Sequence, residues 1–442
     1  MNQLRLAFSP RFAGLFWTQF LGALNDNLFK NALVILLTFR GLSLGRFNAD
    51  QLVIFCSGLF ILPFFLFSAN AGQLADRYEK SSTIRRLKVM ELVIAVIATI
   101  GLLTTRVELL LLVLFGFALQ SAYFSPLKYG ILPQLLRPSE LVSGNALIET
   151  ATSLAILFGL LLGGVLVWWS PVAVCVAVCV VAVLGFRSSR SIPRVAIGAP
   201  ELEVDPFIWR PAFECLRLAF KRRSVFICIL GISWFWLFAG SVLTLLPRYG
   251  KETLNANEHV VTFLLGVFSV GVAIGALLCE RFSKGHINLW LAPVGGFGMS
   301  LFALDLWLTG SLAGPEVMHL GEFLHLTMGY RVQFDMIGLA VAAGLFIVPL
   351  FAHVQGRTDR AVRARVVAAN NILNAFFMVL SAIALFFLER AGLSVCQTLG
   401  LLAALNLVVA GLAALLVPYL DTGASPPDGN SSTDGRGAGA TA

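Results

Sequence analysis

A cluster of polar and charged side chains lies in the middle of an apolar segment that is long enough to cross a lipid bilayer. The segment runs from about residue 12 to residue 39, and its central part is FLGALNDNLFKNALV. The cluster consists of Asn25, Asp26, Asn27, Lys30 and Asn31. Charged groups are costly at the centre of a membrane helix, so they usually face a protein interior or a water-filled cavity and act on an ion or a substrate.

The spacing within this cluster predicts two side-chain pairs. Asp26 and Lys30 are one helical turn apart and can neutralise each other, and Asn27 and Asn31 form a second pair displaced by about 100° around the helix. Two interpretations are open: a polar clamp between helices, or a cavity wall that contacts a substrate or a coupling ion. Three further polar residues in later apolar segments are predicted to belong to the same site: Gln120, Asn145 and Glu149.

The composition indicates that membrane-spanning helices position these residues. The chain has 442 residues, of which 58% are hydrophobic and 13% are charged, whereas an ordinary soluble domain is about a quarter charged. A membrane-spanning helix needs roughly 20 apolar residues. Candidate spans cover residues 12–39, 51–73, 87–105, 108–127, 141–168, 171–187, 225–247, 260–280, 287–309, 334–354, 366–388 and 394–417. The sequence therefore predicts an all-α polytopic membrane protein with twelve spanning helices.

The basic residues predict the orientation of these helices. If the loops alternate between the two sides, most of the 32 lysines and arginines, Lys88 included, fall on the side of the termini. Lys30 lies within the membrane, and those assigned to the other side are Arg40, Arg46, Arg106, Arg248, Lys251, Arg331 and Arg390. Because positively charged loops stay in the cytoplasm, we expect both termini to be cytoplasmic. The net charge of +8 is then a topology signal, and nucleic acid is not an expected partner.

The spans divide into two related halves. We expect an N-terminal six-helix bundle over 1–187, a basic cytoplasmic linker over 188–224, a C-terminal six-helix bundle over 225–418 and a disordered tail over 419–442. NALIET after Pro126 corresponds to NNILNA after Pro349, which aligns Glu149 with Asn374. Two six-span copies related by an axis along the membrane normal are typical of the major facilitator fold, which places its substrate between the halves. Within the linker, AFECLRLAFKRR predicts a short amphipathic helix.

Two further motifs predict how the helices contact one another. GQLADRYEK resembles the loop motif of major facilitator transporters, and its Gly72, Asp76, Arg77 and Lys80 are expected to form a conformational latch. Gly72 permits close helix approach, and Asp76 can cap the following turn and pair with a cation from the neighbouring helix end. Arg77 and Lys80 are expected to bind acidic or carbonyl groups of the opposing bundle. Such a latch gives two alternative arrangements of the bundles. In FGLLLGGVL, the two small residues Gly159 and Gly163 are four apart, a spacing that favours helix packing.

The second half offers a different set of side chains for the cavity. Its seventh and eleventh spans carry Trp234, Trp236 and Asn374 but no ionisable group within the membrane. One wall is therefore expected to be charged and the other aromatic and aliphatic, with Phe238 beside the two tryptophans. This asymmetry suits an amphiphile with a charged headgroup and an acyl chain better than it suits a sugar.

The sequence also resembles the lysophospholipid transporter family of the major facilitator superfamily. The resemblance rests on QFLGALNDNLFKNALVILLTFR, on GQLADRYEK and above all on SPLKYGILPQL followed by NALIE. It implies transport of lysophospholipids, such as lysophosphatidylethanolamine, across the bacterial inner membrane for reacylation, and functional roles for Asp26, Lys128 and Glu149. Lys30 is shared with relatives that are fused to an acyltransferase and an acyl-carrier-protein synthetase, which would here be separate partners.

The resulting hypothesis is an alternating-access flippase. We expect a monomer that is not an enzyme and that uses no metal or other cofactor. The headgroup would engage Asp26 through its amine and Lys30 or Lys128 through its phosphate. Two alternatives are a proton-coupled exporter of small amphiphiles, with Asp26 or Glu149 as the proton carrier, and a non-transporting scaffold that recruits lipid-remodelling enzymes through the basic linker.

Overall fold

The computed structural model describes residues 3–40, 44, 49–309 and 317–421 of the chain, and nearly all of them are helical. The α-helices are α1 (Gln3–Ala7), α2 (Ala13–Arg40), α3 (Ala49–Arg77), α4 (Lys80–Thr104), α5 (Val107–Leu135), α6 (Leu141–Trp169), α7 (Pro171–Ser189), α8 (Trp209–Phe220), α9 (Arg223–Arg248), α10 (Glu258–Ser283), α11 (Leu291–Leu308), α12 (Leu320–His325), α13 (Thr327–Arg357), α14 (Arg363–Arg390) and α15 (Val395–Asp421). Twelve helices in the described ranges are long and apolar enough to cross a membrane: α2–α7, α9–α11 and α13–α15. The predicted fold class is confirmed.

Polar caps and prolines set several of the helix boundaries. The Glu79 carboxylate accepts hydrogen bonds from the N–H groups of Ser81 and Ser82 and so caps α4. Ser170 caps α7, which begins with Pro171, a residue that has no N–H to leave unpaired. These caps satisfy backbone donors that the helix itself leaves unpaired, so successive helices can be joined by very short turns.

Each half of the chain forms its own set of helix contacts. In the first half, α2 packs on α6 and α7, and α5 packs on α3 and α4. In the second half, α13 packs on α9, α10 and α11, and α15 packs on α11. Gly159 and Gly163 lie directly against the backbone of α2, where an added Cβ would come within 2.8 Å of the Leu24 oxygen and 2.6 Å of the Leu28 oxygen. The predicted packing role of these glycines is confirmed.

The two halves touch through α6 with α10 and through α3 with α14. The described hydrogen bonds between the spanning helices of the two halves involve Asp76, Ser125, Ser143, Asn145 and Thr150 of the first half. These residues lie from mid-helix towards one side of the molecule. We call this side the basic face; it carries the turns that follow α3, α5, α10 and α13, together with the linker between α7 and α9.

The linker crosses the basic face and contacts both halves. Its residues 195–205, here called the strap, run along the end of α3, where the Ala199 N–H donates to the Asp76 backbone oxygen at 2.8 Å. Arg360 of the second half donates to the Ile197 oxygen at 3.2 Å. The predicted amphipathic helix is present as α8. The predicted disordered tail lies outside the described residues from position 422 onwards, and α15 continues to Asp421.

Candidate functional site

A cavity of about 270 Å³ lies between the two halves, near the middle of the spanning helices. Its charged lining residues, which all belong to the first half, are Asp26, Lys88, Lys128 and Glu149. The second half contributes mainly apolar side chains and two amides: Trp236, Phe351, Asn371, Asn374, Ala375 and Met378. The predicted difference between a charged wall and an apolar wall is therefore present in the cavity.

Asp26 lies on the cavity wall with only part of its carboxylate hydrogen-bonded. Ser121 of α5 donates to Oδ2 at 2.5 Å, whereas the buried Oδ1 has no hydrogen-bond partner among the described residues. The predicted pair with Lys30 is wrong, and Lys30 does not line the cavity. The Lys30 ammonium lies 4.9 Å from the centre of the Phe60 ring, because its side chain turns towards α3 and away from the face of Asp26.

The asparagines of α2 have two different roles: one lines the cavity, and the others bind to neighbouring helices. Asn27 lines the cavity and donates to the Ala23 oxygen of its own helix at 2.8 Å. Asn31 donates to the Leu160 oxygen of α6 at 2.7 Å, so the predicted Asn27–Asn31 pair does not form. Asn25 donates to Glu91 of α4 at 3.2 Å. Asn25 and Asn31 are therefore clamps between helices, and assigning them to the substrate site was wrong.

Lys88 and Glu91 form a buried ion pair that the sequence analysis missed. The Lys88 ammonium lies 2.5 Å from the Glu91 carboxylate, and the side chains are 1% and 0% exposed. Assigning Lys88 to a basic loop was wrong, because its side chain enters the helix bundle and lines the cavity. The sequence RRLKVMEL offered one signal, a lysine and a glutamate three residues apart on the same helix face.

Tyr129 and Phe351 form a stacked aromatic pair across the two halves at the cavity wall. Their rings are 4.6 Å apart and nearly parallel. Tyr129 follows Pro126 in α5, and Phe351 follows Pro349 in α13. The two stacked rings therefore come from corresponding parts of the two halves. The Tyr129 hydroxyl donates to Glu149 at 2.8 Å.

Lys128 lies beside this aromatic pair, and Gln120 lies farther along the same helix. The Lys128 ammonium is 4.3 Å from the centre of the Tyr129 ring. Lys128, Glu149 and Gln120 all line the cavity, as the sequence predicted. Asn145 does not line it, because its amide is paired with Gln355 of α13.

The second half provides only part of the predicted aromatic wall. Trp236 and Asn374 line the cavity, and Asn374 accepts a hydrogen bond from Ser233 at 2.9 Å. The placement of Trp234 in the site is wrong, because its indole N–H donates to Asn406 of α15 at 2.9 Å and its ring lines a separate apolar cavity. Phe238 is fully buried in the core and does not line the central cavity.

The predicted latch residues differ in what they contact. Asp76 accepts hydrogen bonds from the backbone N–H groups of Ala364 and Arg365 at the start of α14, and it pairs with the Arg365 guanidinium at 3.3 Å. Gly72 allows this approach, since an added Cβ would lie 2.7 Å from the Ala368 Cβ. Arg77 donates to the Leu202 oxygen of the strap and not to the opposing bundle.

Lys80, like Arg77, makes no hydrogen bond to the opposing bundle among the described residues. Its ammonium is buried and has no hydrogen-bond partner among the described residues. The expected contact with an acidic or carbonyl group of the opposing bundle is therefore not made. Arg365 instead supplies the cation of the interface, because it joins Asp76 to Glu214 of α8 at 3.1 Å.

The sequence matches the family model of the Major Facilitator Superfamily over residues 15–382. It is 27% identical to the Lysophospholipid transporter LplT of Serratia proteamaculans, over 71% of this chain and 73% of that protein. It is 26% identical to the Lysophospholipid transporter LplT of an Enterobacter species, over 85% of this chain and 88% of that protein.

Two solved structures of transporters have the same fold. The fucose:proton symporter FucP of E. coli superposes with a TM-score of 0.70 at 12% identity, covering 91% of this chain and 97% of that chain. The human organic anion transporter MFSD10 superposes with a TM-score of 0.71 at 14% identity, covering 93% of this chain and 100% of that chain.

Proposed function

This chain belongs to the major facilitator superfamily, and we propose that it is a lysophospholipid transporter that works by alternating access. The observation that carries the proposal is the asymmetry of the central cavity. Four charged side chains line its first-half wall, whereas the second-half wall is apolar except for two amides. A lysophospholipid has the same division, with a charged headgroup at one end and a single acyl chain at the other. The similarity to curated lysophospholipid transporters supports this assignment.

The headgroup of the substrate would lie on the charged wall. Its ammonium would pair with Asp26, whose buried Oδ1 has no other hydrogen-bond partner among the described residues. Its phosphate would pair with a lysine; the sequence offered Lys30 or Lys128, and Lys128 is the one of the two that lines the cavity. Desolvated charges interact strongly in such a cavity, so a zwitterion would bind better than an uncharged lipid of the same length.

The acyl chain would lie against the apolar side chains of the cavity. These are Phe60 and Phe64 from α3 of the first half and Trp236, Ala375 and Met378 from α9 and α14 of the second half. Burial of apolar surface contributes about 25 cal/mol per Å², so this apolar lining supplies affinity without selecting a particular headgroup. Trp234 and Phe238 do not line this cavity, so neither would contact the acyl chain.

Movement of the substrate would require the contacts at the basic face to open. The salt bridge of Asp76 with Arg365, the amide pair of Asn145 with Gln355 and the aromatic stack of Tyr129 with Phe351 separate the cavity from that face. Each contact joins one half to the other. Their joint loss would connect the cavity to the basic face, as alternating access requires.

The distribution of basic residues predicts how the protein lies in the membrane. We propose that the basic face is cytoplasmic in a bacterial inner membrane, on the positive-inside rule. Transported lysophospholipid would then reach a separate acyltransferase or acyl-carrier-protein synthetase on that side. Both termini of this multi-pass protein would be cytoplasmic, and the monomer would be the transporting unit.

The test is a flip assay with the purified protein in proteoliposomes. Labelled lysophosphatidylethanolamine should cross the bilayer much faster than labelled diacyl phosphatidylethanolamine, and the Asp26→Ala variant should lose this flux while remaining folded. A steep response to a pH gradient, with no competition by unlabelled lysolipid, would instead indicate an exporter of small amphiphiles. Absence of flux above that of protein-free vesicles would refute the proposal.

A further inference from the structure

We propose that Lys88, and not Lys128, binds the phosphate of the substrate headgroup, and that Lys88 and Asp26 together form the cradle of a zwitterion. This inference rests on the proposed function, because it names the group that selects the substrate in the same cavity. It adds a specificity-determining residue from α4, a helix that the sequence analysis did not place at the substrate site.

Gly22 of α2 creates the space that the Lys88 ammonium occupies, and Gly185 of α7 is in ordinary contact range of it. An added Cβ on Gly22 of α2 would lie 2.6 Å from the Lys88 ammonium, and one on Gly185 of α7 would lie 3.7 Å from it. The ammonium therefore sits where a side chain of α2 would otherwise be. Any larger residue at position 22 would have to displace it.

The position over Gly22 fixes the distance of the ammonium from Asp26. Residues four apart lie on the same face of a helix, with about 6 Å between their Cβ positions. Gly22 and Asp26 have this spacing, and Gly22, Asp26 and Lys88 all line the cavity. The wall thus presents a cation and an anion about one helical turn apart. An ethanolamine phosphate carries the opposite charges at the two ends of a two-carbon bridge, so it can meet both groups at once.

The surroundings of Lys88 hold it in place without occupying all of its donors. Its hydrogen bond to a carboxylate goes to Glu91, at 2.5 Å, and Glu91 in turn accepts from Asn25. An ammonium has three N–H donors. The Phe124 ring, 5.5 Å from the ammonium, also lines the cavity. Among the described residues the ammonium makes no other hydrogen bond, so two donors are left for the oxygens of a phosphate.

Lys128 has different surroundings that suit another role. It lies on the ring of Tyr129, whose hydroxyl is bound to Glu149 and whose ring stacks on Phe351 of the other half. Its charge therefore lies at the contact between the halves, where it can respond to their separation. Lys88 instead lies wholly within the first half, beside Asp26, so the cradle keeps its shape while the halves move.

The test measures headgroup selectivity in the purified protein. Displacement of a labelled lysophosphatidylethanolamine is compared for three unlabelled lipids of equal chain length: lysophosphatidylethanolamine, an acyl ethanolamine ester that keeps the amine but lacks the phosphate, and lysophosphatidic acid. The wild type should prefer the zwitterion over the phosphate-free amine by at least tenfold. The double variant Lys88→Met/Glu91→Gln, which removes both charges of the buried Lys88–Glu91 pair together, should lose this preference and keep its affinity for the amine.

Three further variants guard against misfolding and against an indirect effect. Gly22→Ala should weaken the preference because the new methyl group displaces the ammonium, and Gly58→Ala, where an added Cβ meets nothing within 4 Å, should behave as wild type. Lys88→Arg should retain the preference in part. Monodisperse elution and an unchanged melting temperature are required of each variant that is scored.

The outcomes separate this inference from the proposed function. If the wild type binds and flips the lysolipid but the double variant and Gly22→Ala keep the full preference for phosphate, the inference is overturned and the proposed function stands. Loss of the preference in Lys128→Met, with none in the double variant, also overturns it. A wild type that neither binds nor flips lysolipid refutes both.

Discussion

Asn145 of α6 and Gln355 of α13 donate hydrogen bonds to each other across the two halves of the molecule. The Asn145 amide donates to Gln355 Oε1 at 3.2 Å, and the Gln355 amide donates to Asn145 Oδ1 at 2.7 Å. Both residues are fully buried. The pair satisfies both amides only while the halves are closed at the basic face, so it belongs to one transport state.

Gln355→Ala should shift the molecule towards the state that is open at the basic face. A buried amide that loses its partner costs about 1–3 kcal/mol, which corresponds to a change of about fivefold to 150-fold in the ratio of the two states. The measurement is cross-linking of cysteines placed at Ser143 and Glu280, whose side chains meet at 3.1 Å on the same interface. Cross-linking with a short reagent should fall, and Gln333→Ala on the same helix, away from the interface, should leave it unchanged. Equal cross-linking in both variants would contradict the prediction.

Asp76→Ala should disrupt the interface at α14 more severely than the loss of an exposed ion pair does. Asp76 is buried and accepts hydrogen bonds from two backbone N–H groups and from Arg365. Breaking a buried pair by removing one partner costs about 3–5 kcal/mol, so the closed state should become strongly disfavoured and lipid flux should drop at least tenfold.

The control for Asp76 is Asp359→Ala on the same face. Asp359 forms an ion pair with Arg222, but its side chain is 60% exposed, and exposed pairs contribute about 0–1 kcal/mol. Flux should therefore stay within about twofold of wild type. If both variants lose flux to the same extent, the effect comes from the charge of the basic face and not from the latch.

The sequence predicted the spanning helices correctly because they depend on a local feature. Apolar length alone marks a spanning helix. The partners of Lys30 and Lys88 depend instead on how each helix is rotated and on which neighbour has room. Lys30 turns to Phe60 on α3, and the Lys88 ammonium lies over Gly22 of α2, a residue that is distant from Lys88 in the chain.

The partner of Asp76 also required the three-dimensional structure. The sequence predicts that the Asp76 carboxylate pairs with a cation from a neighbouring helix end, but nothing in its spacing identifies the start of α14. Tyr129 illustrates the same limit. The repeated prolines at 126 and 349 were visible as a pattern, whereas the aromatic stack beside them depends on the relative placement of α5 and α13.

Gly163→Ala should destabilise the protein, whereas Gly164→Ala should not. At position 163 an added Cβ would lie 2.6 Å from the Leu28 oxygen, and at position 164 its nearest neighbour would be at an ordinary 3.7 Å. Overpacking typically costs about 1–3 kcal/mol, whereas alanine is favoured over glycine in a helix by up to about 1 kcal/mol. Thermal unfolding in detergent should therefore show a lower melting temperature for Gly163→Ala alone. Equal melting temperatures would mean that α2 and α6 are not in tight contact.

Glu79→Gln should loosen the strap and remove part of its pH dependence. Partial burial raises the pKa of Glu79, but the N–H groups of Val195, Ser82 and Ser81 donate to the carboxylate and bring its pKa below the ordinary value of 4.5. Because the folded form has the lower pKa, the carboxylate stabilises this contact fully above about pH 4.5 and progressively less as the pH falls below that value. Wild-type protection of the Val195 amide against hydrogen exchange should thus decrease at acidic pH.

In Glu79→Gln the same amide should be less protected at neutral pH and should change less on acidification. The bond is half-exposed, so a loss of about 1 kcal/mol, or about fivefold in the protection factor, is expected. The Asp205 amide is the control, since its acceptor is the neutral Gln73 side chain at 3.1 Å, and its protection should be unaffected by the substitution. If Glu79→Gln leaves the Val195 amide as protected as in the wild type at pH 7, the carboxylate does not hold the strap on α4.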